Sequence, residues 1–219
     1  MIVAEPKSLE EIKAMVDGFD RILVVGCGTC VTVSLTGGER QVNLLASALR
    51  LARRVEGRDI EVGEQTILRQ CEFEYIDGLK GVEDYQAIVS LACGAGIQGI
   101  ARRFSDKPVF PGVNTSFIGF NEEYGYFTEQ CKACGECILH LTGGICPVAR
   151  CAKGLLNGPC GGTNNGKCEI SKDKDCAWVL IYNQLERQGK LEQFKQINMP
   201  KDFAKAGNIR TLDLRKAGV

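Results

Sequence analysis

Arg21-Ile22-Leu23-Val24-Val25-Gly26-Cys27-Gly28-Thr29-Cys30 is the stretch that decides the fold. An apolar run this short, stopped by glycine, reads as a strand buried on both faces, and a Cys-x-x-Cys turn follows it directly. Upstream, Ser8-Leu9-Glu10-Glu11 has capping-box spacing, with Ile12, Met15 and Val16 at helical intervals, so a helix is expected from Leu9 to about Gly18. Downstream, Val42, Leu45, Leu49 and Ala52 mark an amphipathic helix from Glu39 to Val55. A second strand is expected at Asp59–Val62, with Thr66–Leu68 as its alternative or continuation. A short helix opens after Cys71. A third strand covers Ala87–Ala92, a helix Ile97–Phe104, and a fourth strand begins at Pro108. Strands alternating with helices predict an α/β fold: a Rossmann-like parallel sheet with helices on both faces.

In such a sheet the ligand site lies beyond the carboxyl ends of the strands. Cys27, Cys30 and Cys93 each follow a predicted strand, and Cys71 falls near the same edge if the second strand ends at Leu68. The topology therefore gathers four thiols that are distant in sequence. They read as a third cluster site, with a reactive dithiol or packed core thiols as the alternatives.

The chain has 219 residues, 27 Lys+Arg against 27 Asp+Glu, and 12 Cys, eight of them between Cys131 and Cys176. Zero net charge disfavours a nucleic-acid binder. No stretch is apolar enough to span a bilayer, and the first residues lack the pattern of a signal peptide, so a cytoplasmic protein with no membrane partner is expected. Thiols stay reduced in that compartment, which favours metal or cluster ligation over disulfides. Gly26-Cys27-Gly28 fails as a dinucleotide fingerprint because Val31 occupies the third glycine position, and no flavin motif is evident. Neither flavin nor NAD is expected in this chain. His140, the one histidine, reads as structural, and no histidine is left to activate a nucleophilic cysteine. Arg53-Arg54 and Arg102-Arg103 read as solvated helix faces.

Beyond Asn121 the periodicity gives way to Gly, Cys and turn residues. The expected organisation is an α/β domain over 1–124, a cysteine-rich module with a C-terminal helix over 125–190, and a tail over 191–219 that wraps or docks. A loop-rich module with so small an apolar core calls for a metal staple. Cys131-Lys132-Ala133-Cys134-Gly135-Glu136-Cys137, with a later Cys146-Pro147, resembles the loop by which ferredoxins wrap a [4Fe–4S] cluster. The eight-residue gap before Cys146 leaves the fourth ligand open. The triplet joins Cys146, Cys151, Cys160, Cys168 and Cys176 to make eight thiols, the number for two tetrathiolate sites. One partition puts Cys131, Cys134, Cys137 and Cys176 in one site and Cys146, Cys151, Cys160 and Cys168 in the other. The second site is a cluster or Zn²⁺, since both favour soft thiolate ligands.

The run Cys146-Pro147-Val148-Ala149-Arg150-Cys151-Ala152-Lys153-Gly154-Leu155-Leu156-Asn157-Gly158-Pro159-Cys160-Gly161-Gly162, with Gly166-Lys167-Cys168-Glu169 and Asp175-Cys176-Ala177-Trp178, resembles the methylenetetrahydrofolate reductase C-terminal domain family. Over roughly residues 1–190 the chain looks like the small zinc/iron–sulfur subunit of the two-subunit reductases of acetogenic anaerobes. The resemblance implies a partner subunit, a flavin-bearing (β/α)₈ barrel that reduces methylenetetrahydrofolate to methyltetrahydrofolate. It also implies that this chain passes electrons to that flavin. The donor would be ferredoxin or a heterodisulfide-reductase-like or NADH-linked component. Carried over residue by residue, the resemblance makes the eight C-terminal cysteines metal or cluster ligands, and Cys27, Cys30, Cys71 and Cys93 less securely so. It implies two [4Fe–4S] clusters or three, with Zn at one site. An alternative is a zinc-stabilised scaffold subunit with no electron relay.

Overall fold

In the computed structural model, which describes residues 1–216, the chain divides into two compact units, Met1–Thr128 and a second from Glu129 onward. The first unit contains strands β1 (Ile2–Pro6), β2 (Arg21–Cys27), β3 (Glu61–Ile67), β4 (Ala87–Ser90), β5 (Val109–Pro111) and β6 (Val113–Glu123). Strand β7 (Tyr126–Cys131) leads out of it. Its helices are α1 (Leu9–Met15), α2 (Cys30–Val33), α3 (Glu39–Val55), α4 (Phe73–Ile76) and α5 (Gly94–Arg103).

Strands β3, β2, β4 and β5 form a parallel sheet in that order, with Ile22 opposite both Val62 and Ala87. The apolar run of β2 explains its central place. Ile22 and Val24 point to one face, where they pack with Val42, Ala46 and Leu49 of α3 and Ile12 of α1. Leu23 and Val25 point to the other, against Ile76 of α4 and Ile100 of α5. Both faces of a parallel sheet are covered in this way, so no polar alternation remains. Each fully buried Leu, Ile or Val contributes about 1.5–3 kcal/mol.

Local signals set the helix limits. Ser8 Oγ accepts from the Glu11 N–H at 3.2 Å and starts α1. The helix stops at Met15, three residues short of the expected Gly18, with Val16 as its C-cap. Helix α3 runs Glu39–Val55 as its periodicity predicts. Arg53 on this helix corrects the solvated reading of its basic pair. It is 2% exposed and bonds Asp17 at 2.6 Å, Glu56 at 3.2 Å and the Val16 carbonyl at 3.1 Å. Strand β3 spans the gap between its two sequence alternatives, and the helix expected after Cys71 is the single turn α4.

A second, three-stranded sheet in the order β1, β6, β7 was not predicted. Strands β1 and β6 are antiparallel, Ile2 opposite Ile118 and Pro6 opposite Val113. Strand β6 is mostly exposed and lacks a clean two-residue alternation. Its partner β1 lies more than a hundred positions away, so no local pattern announces the pair.

The second unit is irregular, with two short helices, α6 (Pro147–Arg150) and α8 (Ala204–Gly207), and one longer helix, α7 (Ala177–Arg187). Trp178, Ile181 and Leu185 of α7 are buried with Cys176, and Ile145, Cys151, Leu191 and Phe194 pack around them. Trp178 is core: its Nε1 donates to the Leu155 carbonyl at 3.2 Å and its ring meets Phe194 edge-on.

Candidate functional site

The first unit places the four N-terminal cysteines at the carboxyl edge of the parallel sheet. Cys27 is the last residue of β2, Cys30 the first of α2, and Cys93 the N-cap of α5. Cys71 stands in the loop between β3 and α4. Burial pushes the Cys71 thiol up, and the neighbouring Cys27 and Cys93 add to the shift. Three of the four thiols are thus electrostatic neighbours despite spanning 27 to 93 in sequence. Cys27 is buried and its Sγ contacts Thr29 Oγ1 at 3.6 Å and the Leu68 carbonyl at 3.8 Å. Cys30 and Cys93 are half-buried, and Cys71 is exposed.

Sequence reasoning missed the residue that holds Cys71 in place. Gln70 is fully buried; its Nε2 donates to the Val25 carbonyl at 3.0 Å and its Oε1 accepts from Ser90 Oγ at 2.6 Å. Ser90 Oγ in turn accepts from the Ala92 N–H at 3.3 Å. The network ties the loop carrying Cys71 to the ends of β2 and β4, the strands that lead to Cys27 and Cys93. Gly99 of α5 makes room for it: a Cβ there would lie 2.4 Å from the Gln70 carbonyl oxygen. A buried glutamine beside a cysteine has no distinguishing sequence signal.

In the second unit Cys151, Cys160, Cys168 and Cys176 line one small cavity with Lys153, Leu155, Glu169 and Trp178. The grouping joins Cys176 to three cysteines of the other set in the sequence partition. Its cause is local. Cys176 caps α7, and its N–H donates to the Gly166 carbonyl at 2.7 Å, which folds the Gly166–Asp175 loop back on the helix start. Cys168 is held by its own N–H on the Lys174 carbonyl at 2.9 Å. The N–H groups of Ser171 and Ile170 point at the Cys168 sulfur and hold its thiol below the usual range. Cys160 Sγ accepts from the Gly162 N–H at 3.4 Å and lies 3.8 Å from Glu169 Oε1, and Glu169 is paired with Lys153. Cys146 caps α6 and is half-buried.

The triplet loop begins where β7 ends at Cys131. Cys131 Sγ accepts from the Ala133 N–H at 3.3 Å, and positive φ at Ala133 (49°) and Gly135 (80°) turns the backbone around the sulfurs. Cys134 is held below the usual thiol range, first by the backbone at Glu136 and then by the ammonium of Lys201, 3.2 Å from its Sγ. Cys137 is exposed. His140 is exposed in a single 3₁₀ turn.

Among the described residues, no three or more His, Cys, Asp or Glu side chains are arranged to hold a single metal ion. The donor set nevertheless suits a soft, thiolate-bound metal or cluster. It is all cysteine, and the N–H groups of Ala133 and Gly162 already donate to the sulfurs of Cys131 and Cys160. The thiols of Cys134 and Cys168 are lowered, toward the thiolate form that binds metal.

Residues 110–204 match the family described as "Methylene-tetrahydrofolate reductase C terminal". The match covers the whole cysteine-rich segment and bears out the resemblance there; it points to a role in a methylenetetrahydrofolate reductase-related oxidoreductase. No curated protein matches the chain. Among solved structures, one described as a branched-chain amino acid ABC transporter from Rhodospirillum rubrum is 21% identical, with a TM-score of 0.32. The alignment covers 47% of this chain and 28% of the transporter's, and a likeness so slight bears on neither fold nor function. No helix among the described residues is long and apolar enough to cross a membrane.

Proposed function

We propose that this chain, whose residues 110–204 carry the methylenetetrahydrofolate reductase C-terminal domain, is the electron-transfer subunit of such a reductase. It would act beside a flavin-bearing partner that performs the folate reduction. The observation that carries the reading is the cavity shared by Cys151, Cys160, Cys168 and Cys176, four thiols in an otherwise loop-built module. Iron–sulfur clusters, when bound, supply one-electron transfer at potentials set by hydrogen bonds to sulfur and by exposure.

The chain's own residues do three things in this scheme. Cys151, Cys160, Cys168 and Cys176 form one ligand set, and Cys131, Cys134 and Cys137 supply three members of a second. The Ala133 and Gly162 N–H groups donate to the sulfurs of Cys131 and Cys160, and the backbone around Cys134 and Cys168 lowers those two thiols. Trp178 and Leu155 line the same cavity and give it an apolar wall. Cys27, Cys71 and Cys93, with Cys30, form a further candidate set at the sheet edge. Ferredoxin or another one-electron donor fits as the source of electrons.

Iron and acid-labile sulfide analysis of the anaerobically purified chain tests the reading, together with electron paramagnetic resonance after dithionite reduction. Iron, sulfide and a cluster signal support it. Zinc with no sulfide and no signal would replace it with a scaffold role.

A further inference from the structure

Lys201 is 8% exposed, and its Nζ donates to Cys134 Sγ at 3.2 Å and to the Glu136 carbonyl. Burying an ammonium is costly unless an opposite charge compensates it. A carbonyl and a neutral thiol supply none. The Glu136 carboxylate is within electrostatic range, but it is already engaged by Lys205 at 3.5 Å and by the Asp202 N–H at 3.3 Å. The Lys201 charge is thus directed at the Cys134 sulfur, in the loop read as a ligand set. The same segment brings a second cation to the loop, since Arg210 Nη1 donates to the Ala133 carbonyl at 3.0 Å. The stretch from Lys201 to Arg210 thus lies against the Cys131–Cys137 loop with its cations directed at it.

We propose that Lys201 is a positioning residue that sets the reduction potential of the centre held by Cys131, Cys134 and Cys137. The proposal rests on the electron-transfer reading above. One-electron reduction adds negative charge to the thiolate-held group. An ammonium fixed on one ligand sulfur and shielded from water stabilises the reduced form more than the oxidised form, and so raises the potential. The tail beyond α7 then has an electronic role besides packing: it delivers a cation to this centre.

The test uses the full-length chain purified anaerobically, with the midpoint of the triplet centre followed by resonance-monitored redox titration. That centre is the signal that Cys137→Ser abolishes. Lys201→Met should lower its midpoint by about tenfold in the reduction equilibrium, ~59 mV for a one-electron couple. Lys201→Arg should leave it within about threefold, ~28 mV. A downward shift in Lys201→Met smaller than that threefold limit, or any upward shift, overturns the proposal. If Lys201→Met and Lys201→Gln fail to take up iron, retention of the signal in Lys201→Arg still supports a charge role, and its loss there overturns it. A wild-type chain without any cluster signal overturns the electron-transfer reading and this proposal with it. A wild-type signal whose midpoint Lys201→Met does not move overturns this proposal alone.

Discussion

Gln70→Leu removes the side-chain amide that ties the Cys71 loop to the sheet while nearly conserving its volume. The cost follows from the partners left behind. The Val25 carbonyl keeps the Leu91 N–H at 2.8 Å, so losing Gln70 Nε2 costs only a net hydrogen bond, about 0.5–1.5 kcal/mol. Ser90 is fully buried and loses the acceptor of its hydroxyl, a stranded donor worth about 1–3 kcal/mol. Together the variant should lose about 1.5–4.5 kcal/mol, a fall of about 6–17 °C in melting temperature for a unit of this size. Ser90→Ala strands Gln70 Oε1 instead. The double variant strands neither group and should be milder than the sum of the singles by about 1–2 kcal/mol. Urea denaturation followed by far-ultraviolet circular dichroism measures this. The fluorescence of Trp178, the one tryptophan, reports the second unit and should melt at an unchanged urea concentration. A cost below about 0.5 kcal/mol for Gln70→Leu, or singles that add within that margin, would refute the reasoning.

Two further outcomes can be checked directly. In the reduced, metal-free chain, Cys134 and Cys168 are held below the usual thiol range and Cys71 above it. At neutral pH iodoacetamide should therefore label Cys134 and Cys168 before Cys71, read by peptide mass spectrometry, and the reverse order would contradict the geometry. The Arg53 and Arg58 guanidiniums lower the Asp17 carboxyl. A carboxylate with a depressed folded value stabilises the fold above its unfolded value, about 3.9, and loses that contribution as the pH falls through the folded one. Asp17→Asn should flatten the acid limb of the melting temperature below about pH 4, and an unchanged limb counts against the ion pair.

The sheet was legible in the sequence wherever one element carried its own signal. The β2 run and the α3 periodicity need no partner to be read, and the structure reproduces both. Strands β1 and β6 owe their existence to each other across the length of the first unit, and half-exposed polar strands leave no local pattern. For the candidate sites, strand ends could be read as putting Cys27, Cys30 and Cys93 on one edge of the sheet, because topology alone fixes that much. Spacing could not sort the eight later thiols. The position of Cys176 depends on the loop that folds onto the start of α7, and such loops carry no periodicity. Lys201 and Gln70 were invisible for a related reason: their chemistry lies in burial beside a cysteine, and burial of a lone polar residue is a tertiary fact.

The central proposal is that the thiols of this chain hold iron–sulfur clusters in the ligand sets proposed above. Anomalous-scattering maps of anaerobically grown crystals, recorded at the iron and zinc edges, test it most directly. The account predicts iron within the Cys131–Cys137 loop and within the cavity of Cys151, Cys160, Cys168 and Cys176. Zinc at those positions, with no iron anywhere in the chain, would contradict it.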